Sequence, residues 1–257
     1  MKMPSLSIIT VNYNSGAGLE NTVDSILPIK NLLDAECILV DGLSTDDSLS
    51  RLGDKANIFS VISSEPDLGI YDAMNKGVKF SKGNWIWFLN SGDLALNSAR
   101  SIGPFLATSI QEVNFLYGDF VTSSGVVVTQ ELGMKLLFSG MLNHQTIIYS
   151  KNLLIQPFDL SYGLAADFAH LLMQYKKILP QRIDAPLVQY DLFGQSSKFT
   201  RSSRIKTWYQ RFRSFKNSDL SLSQKLFGMI ISLSGCIIKA FFPKIYSRTL
   251  KLQSRGL

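Results

Sequence analysis

Four apolar runs in the first hundred residues each hand over to a polar cluster, and those clusters hold the first candidates for chemistry. Leu6–Val11 leads into Asn12-Tyr13-Asn14, Cys37–Val40 into Asp41-Gly42, Ile58–Ser63 into Glu65-Pro66-Asp67, and Trp85–Leu89 into Asn90-Ser91-Gly92-Asp93. Carboxylates presented this way suit a hard divalent cation, because Mg2+ or Mn2+ is usually held by one or two carboxylates plus substrate phosphates. In the last cluster Gly92 lets backbone approach a ligand while Asp93 supplies the charge; a plain turn after a strand is the other reading of the same residues. Ser44 and Asp47, three apart, have the spacing of a helix-capping pair, which leaves Asp41 on the rim. Along Asp67–Gly77, residues Ile70, Ala73, Met74 and Gly77 are core-like, whereas Asp72 and Asn75 share another face and can reach a ligand.

The elements that must position these groups follow from hydrophobic spacing. Continuous β-branched runs read as strands buried on both faces, the kind found in parallel sheets. Between them lie helical patterns: Gly18–Leu27, with Pro28 as its stop; a segment opening at Ser44; and about Ile70 to Phe80. Such β-α-β-α alternation predicts an α/β fold in which ligands bind beyond the carboxyl ends of the strands. Asn12, Asn14, Asp41, Glu65, Asp67 and Asp93 should therefore converge on one crevice. The rhythm then loosens, with strands expected near 115–120, 126–130, 145–149 and 183–190 and a helix over Ala165–Lys177.

With 257 residues, 46% hydrophobic and 18% charged, the chain can bury a core, which excludes disorder, collagen and a disulfide miniprotein. Cys37 and Cys236 lie far apart without a CxxC or Cys/His grouping, so a reducing compartment and no zinc site are expected. The start, Met1-Lys2-Met3-Pro4-Ser5, has no apolar signal region, and no secretory signal is read there. From residue 201 onward there are twelve basic residues and one acid, Asp219, so the net +6 is −5 over 1–200 and +11 over 201–257. That break predicts one domain, 1–200, and a basic amphipathic helical tail, 201–257. In the tail, Ile205, Trp208, Phe212 and Phe215 form one stripe flanked by basic residues, the pattern of an interfacial helix on anionic lipid. Leu226–Phe242 is apolar but interrupted by Ser232, Ser234, Gly235 and Lys239, which falls short of a spanning helix; with Lys244 and Arg248 beyond, it suits lying in the interface or dipping into it. Packing back onto the domain is the other reading of the stripe. Nucleic acid is not expected, since the basic residues interleave with apolar ones and form no polar groove.

In order and spacing, the strand ending Asn12-Tyr13-Asn14, the Val-Asp-Gly-x-Ser-x-Asp of 40–46, the Glu-Pro-Asp-x-Gly-Ile-Tyr-Asp-Ala-Met-Asn-Lys-Gly of 65–77 and Leu89-Asn90-Ser91-Gly92-Asp93 resemble the family 2 glycosyltransferases. The likeness is greatest to small bacterial enzymes of exopolysaccharide and O-antigen assembly, of the colanic acid type. It is dense over 5–95 and sparser at His144-Gln145 and Ala165-Ala166-Asp167.

The resemblance implies a GT-A fold, a mostly parallel Rossmann-like sheet flanked by helices. It implies inverting, non-processive sugar transfer from a UDP- or GDP-linked donor to a hydroxyl of a lipid-linked glycan acceptor, in cell-surface polysaccharide biosynthesis. Carried over position by position, Thr10, Val11 and Tyr13 shape the nucleotide pocket and Asp41 contacts the base. Asp67, Asp72, Asn75, Asn90, Ser91 and Gly92 complete the nucleotide-sugar site, and Asp93 holds Mg2+ or Mn2+. Many members carry Asp-x-Asp where only Asp93 is acidic here, which leaves one carboxylate fewer for the cation. His144 is implied as an aid to diphosphate or metal binding, or else as a buried histidine. Asp167 matches the family's catalytic base, with alanine where a glutamate often precedes it; an acid in the first turn of a helix is also favoured by the macrodipole alone. A processive synthase is disfavoured, because the family's Gln-x-x-Arg-Trp motif is missing and the tryptophans are Trp85, Trp87 and Trp208. The expected location is cytoplasmic, peripheral on the cytoplasmic face of an anionic membrane through residues 204–248. The rival reading is a nonenzymatic nucleotide- or lipid-binding module with a degenerate metal motif.

Overall fold

The first strand, β1 (Leu6–Asn12), is buried along its whole length, as a run without polar alternation requires. The computed structural model describes residues 5–190 and 201–241. Within them β1 pairs in parallel with β2 (Ala35–Asp41) on one side and β4 (Trp85–Phe88) on the other, and β2 pairs in parallel with β3 (Phe59–Ser64). The register sets Asn12 opposite Asp41 and Asp41 opposite Ser64, so three neighbouring strands end in polar side chains at one level. Beyond β4 the sheet becomes mixed. β8 (Ile147–Ser150) is antiparallel to β4 and to β6 (Phe115–Thr122), and β9 (Pro180–Tyr190) runs parallel to β6. Two-residue strands, β5 (Leu94–Ala95) on β9 and β7 (Val127–Val128) on β6, complete the order β3-β2-β1-β4-β8-β6-β9-β5 with β7 aside.

Helix α1 (Ala17–Leu33) does not stop at Pro28 as its sequence suggests. Ile29 and Leu33 continue its buried face, and it ends at Asp34, whose φ of 50° turns the chain and whose N–H reaches Lys30 O. Burial of two further apolar residues outweighs one lost helical bond. Helix α2 (Ile70–Phe80) has the expected bounds. It lies tight on the sheet because residue 77 is glycine: a Cβ there would stand 2.4 Å from Ile9 Cγ2. The helix expected to open at Ser44 is instead a loop followed by a 3-10 segment, Ser50–Ile58, broken at Gly53. The side chains that would have capped it are engaged elsewhere, Ser44 on Asp41 and Asp47 on Arg51. A 3-10 segment, Asn97–Ile102, and the short α3 (Gly103–Leu106) follow β5. Cys37 is buried in the core, and burial pushes its thiol up to about 12, so it is inert.

The chain divides into two compact units, and the division does not fall at residue 200. The first comprises Met1–Gln130, Asn143–Phe158 and Ile178–Asp191; the second comprises Glu131–Leu142, Asp159–Lys177 and Leu192–Leu257. The second is helical among its described residues: α4 (Met134–Ser139), a 3-10 segment Leu160–Ala165, α5 (Ala166–Gln174), α6 (Arg201–Asn217) and α7 (Leu222–Phe241). Helix α6 packs on α5 and α7, and α7 also on α4. The stripe expected to face lipid is partly turned inward: Phe215 is wholly buried against Phe138 and Phe168, and Trp208 and Phe212 are half-buried. Ile205 lies outside the described side chains. Among the described residues no helix is long and apolar enough to cross a membrane.

Candidate functional site

The rim at the carboxyl ends of β1, β2 and β3 is organised around Asp41, which is 0% exposed. Its Oδ1 accepts from Asn12 Nδ2 at 2.7 Å and Ser44 Oγ at 2.5 Å; its Oδ2 accepts from Ser44 N at 2.9 Å and Ser64 Oγ at 2.7 Å. Burial pushes this carboxyl up, but the bonds from Ser44, Ser64 and Asn12 prevail and hold it below the usual carboxylate range. The aspartate expected on the crevice rim is therefore a hub inside it. Three further hydrogen bonds clamp the loops above. Asn14, at φ 48°, accepts Thr45 N and Asp46 N on its Oδ1, and Gly16 N donates to Asp46 Oδ2 at 2.8 Å.

This clamp leaves Tyr13 standing out, 58% exposed. Gly42 sits in the gap beside it: a Cβ at 42 would be 2.5 Å from Asp67 Oδ2 and 3.2 Å from Tyr13 Cδ2. Tyr13 and Asp67 thus flank Gly42, an aromatic ring next to a carboxylate. Asp67 also accepts Gly69 N, and Asp72 accepts Leu68 N while lying 3.5 Å from Lys76, which pairs with Glu65 at 3.0 Å. Asn75 is engaged in a two-way bond with the backbone of Phe158, both at 2.9 Å. Thr10 and Val11 are core residues of β1. The Thr10 hydroxyl is buried without a hydrogen-bond partner among the described residues, and Val11 O accepts both Ser91 N and Ser91 Oγ.

The turn after β4 is tied down from beneath by Thr22 of α1, a residue the sequence reading passed over. Thr22 Oγ1 accepts Gly92 N at 2.9 Å and donates to Asp93 O at 2.8 Å, while Asp93 N closes the turn on Asn90 O. Gly92, at φ 102°, is exposed, Asn90 and Ser91 are half-buried, and Asp93 is buried behind them. One carboxylate here suits a Mg2+ or Mn2+ that takes its other oxygens from a diphosphate and water. No group of three His, Cys, Asp or Glu able to hold a metal occurs among the described residues, so the donor set fits a cation shared with a ligand rather than a closed protein cage.

His144 is nearly buried, its ring stacked on Phe88 at 5.4 Å and ringed by Tyr71, Tyr149 and Phe158. A polar lattice absent from the sequence reading holds its segment. Arg182 Nη2 donates to both oxygens of Asp119 at 3.0 and 3.1 Å, Asp119 accepts Gln130 N, and Gln130 binds Gly118 O, Thr146 Oγ1 and Asn143 N. Trp87 Nε1 reaches Gln145 O at 2.7 Å. Tyr117-Gly118-Asp119, another Gly-Asp pair on an apolar strand, was the available signal for this lattice.

In the second unit Asp167 lies in the first turn of α5, half-buried, its Oδ1 accepting Phe168 N at 2.7 Å. Arg211 of α6 lays its guanidinium 3.7 Å over the Phe168 ring and donates to Leu137 O and Gly140 O at 3.1 and 3.0 Å. Burial, only partly offset by the charge of Asp167, pulls Arg211 down to about 10. The candidate acid thus has a cation for a neighbour, contributed by the segment that the charge count had set apart as a tail.

The model of the Glycosyl transferase family 2 domain matches residues 7–153, more than half of the chain and all of the strand-end motifs above. The chain belongs to glycosyl transferase family 2. This family 2 glycosyltransferase is 33% identical over 184 residues to a PGL/p-HBAD biosynthesis glycosyltransferase of Mycobacterium bovis (strain BCG / Pasteur 1173P2), covering 65% of this chain and 68% of that protein. It is 29% identical over 209 residues to an uncharacterized glycosyltransferase of Mycobacterium tuberculosis (strain H37Rv), covering 76% and 78%. Among solved structures, S. aureus TarS in complex with UDP-GlcNAc superposes with a TM-score of 0.67 at 18% identity, over 91% of this chain and 72% of that one. The mannosyltransferase PcManGT of Pyrobaculum calidifontis, in complex with GDP-Man and Mn2+, gives 0.60 at 13% identity over 98% and 81%. These likenesses agree with the α/β, GT-A fold read from the sequence. Within that fold, the turn at 90–93 lies at the end of β4, beside β1.

Proposed function

We propose that this glycosyltransferase catalyses inverting, non-processive transfer of a sugar from a UDP- or GDP-linked donor to a hydroxyl of a lipid-linked glycan acceptor in cell-surface polysaccharide biosynthesis. The observation that carries the catalytic part is Asp167, a half-buried carboxylate at the start of α5 beside the Arg211 cation. Donor-bound TarS and PcManGT support the nucleotide-sugar class, the mycobacterial PGL/p-HBAD biosynthesis glycosyltransferase supports sugar transfer, and the basic segment 201–257 supports an acceptor held at a lipid surface. Residence on the cytoplasmic face of a membrane follows from such an acceptor and from the +11 charge of 201–257.

In this reading Tyr13 stacks the base while Asp41 keeps both loops in place around it. Asp93 would hold Mg2+ or Mn2+, which when bound neutralises charge on the donor diphosphate. Asp167 accepts the proton of the acceptor hydroxyl as that oxygen forms its bond to the anomeric carbon; the bond from that carbon to the diphosphate breaks, and the nucleoside diphosphate leaves with the electron pair. His144, enclosed by four rings, acts through packing of the segment behind the turn.

Asp167→Asn should retain donor binding in a thermal-shift titration with UDP and GDP and lose turnover by about two orders of magnitude or more. An active Asp167→Asn variant places the base elsewhere. Absence of nucleoside diphosphate release from every donor, with lipid-linked acceptor and with or without Mn2+, favours the nonenzymatic binding module.

A further inference from the structure

Over its described side chains, residues 222–234, helix α7 carries its bulk outward. Its inner face carries Gly228 and Ser232, both buried, and the ring of Phe215 presses so close that a Cβ at 228 would lie 2.3 Å from Phe215 Cε1. Its outer face carries Leu222, Leu226, Phe227, Ile230 and Leu233, between 42% and 73% exposed. At a helical step of about 100° per residue, Leu222, Leu226, Ile230 and Leu233 fall within an arc of about 80°, roughly opposite Gly228 and Ser232. A helix that merely covers its own domain does the reverse and buries its large apolar residues. Phe227 meets the ring of Phe138 edge-on at 4.8 Å.

We propose that this face of α7 is a docking surface for an anionic lipid bilayer, on which the helix lies flat at headgroup depth. Charge complementarity selects this occupant. Residues 201–257 carry twelve basic side chains and one acid, and Lys206 and Lys216 of the neighbouring α6 are exposed. A second copy would bring two such strongly positive segments together, whereas anionic lipid attracts each basic residue near its surface. The helix is not long and apolar enough to cross, and a flat helix needs only an apolar face with basic flanks. The inference rests on and deepens the membrane residence proposed above, narrowing the contact within 204–248 from the α6 stripe, whose Phe215 is buried, to the outer face of α7.

The test is flotation of the full chain with vesicles of phosphatidylcholine alone or with about one third phosphatidylglycerol. Wild type should bind the anionic vesicles, with binding reduced by salt. A Leu226→Gln/Ile230→Gln variant should bind at least about tenfold more weakly with an unchanged melting temperature. Lys206→Glu/Lys216→Glu should lose the preference for anionic lipid. No binding by wild type, or undiminished binding by the Leu226/Ile230 variant, overturns the proposal, as does concentration-dependent dimerisation abolished by that variant in the absence of vesicle binding. The assay contains no donor, and Asp167→Asn should float like wild type, so its outcome is independent of whether the chain transfers sugar.

Discussion

Replacing Asp41 by asparagine keeps the shape of the hub and removes half of its accepting capacity. Each carboxylate oxygen faces one N–H donor and one hydroxyl: Asn12 Nδ2 and Ser44 Oγ on Oδ1, Ser44 N and Ser64 Oγ on Oδ2. A hydroxyl can rotate to accept from the new amide, but the Asn12 amide and the Ser44 N–H cannot. Either orientation of the introduced amide therefore sets donor against donor at one buried site. Together with loss of charge-assisted bonding this should cost about 2–4 kcal/mol, measured as a shift in the urea midpoint at neutral pH. Because the folded carboxyl sits below its usual range, its contribution is present above the unfolded carboxylate value and is lost as pH falls through the lower folded value. The difference between wild type and Asp41→Asn should accordingly shrink as pH falls below the unfolded carboxylate value. An unchanged midpoint at neutral pH would refute the assignment of Asp41 as the hub.

Substitutions at two further positions separate binding from packing. Tyr13→Ala removes an exposed ring, so stability should hold within about 0.5 kcal/mol while affinity for UDP or GDP falls about tenfold or more, as expected for loss of a base-stacking partner; calorimetric titration reads both nucleotides. Arg211→Met leaves Leu137 O and Gly140 O without their donor and removes the cation over Phe168, which should destabilise the second unit by about 2–3 kcal/mol and raise hydrogen exchange in α4 and α5. Arg211→Lys should recover only part of this loss, since an ammonium cannot both lie flat on the ring and span two carbonyls.

The strand-end clusters were legible because each depends on local pattern: a continuous apolar run, then turn residues. Helix α2 was legible for the same reason, its spacing and its terminal glycine lying within one short stretch. The capping-box reading of Ser44 failed because its hydroxyl serves Asp41, three residues back, in a hub that needs Asn12 as well; Asn12 and Asp41 stand 29 positions apart and reach each other only because β1 and β2 pair in parallel. Thr22 under the turn at 92–93, and Arg182 on Asp119 63 positions away, were hidden for that reason too. Charge counting set residues 201–257 apart as a tail, yet packing gives Arg211 to the helix that carries Asp167. It also turns Phe215 inward and leaves the apolar side of α7 outside.

By itself, then, the sequence determined the α/β alternation, the level at which polar groups end the strands, and the family. Those follow from periodicity and short motifs, which are properties of neighbouring residues. Only the tertiary structure decided which polar group serves a ligand and which serves another side chain, and which face of an amphipathic helix is buried in the core. The reason is that a hydrogen bond or a buried surface belongs to two segments at once, and the chain states only one of them at a time.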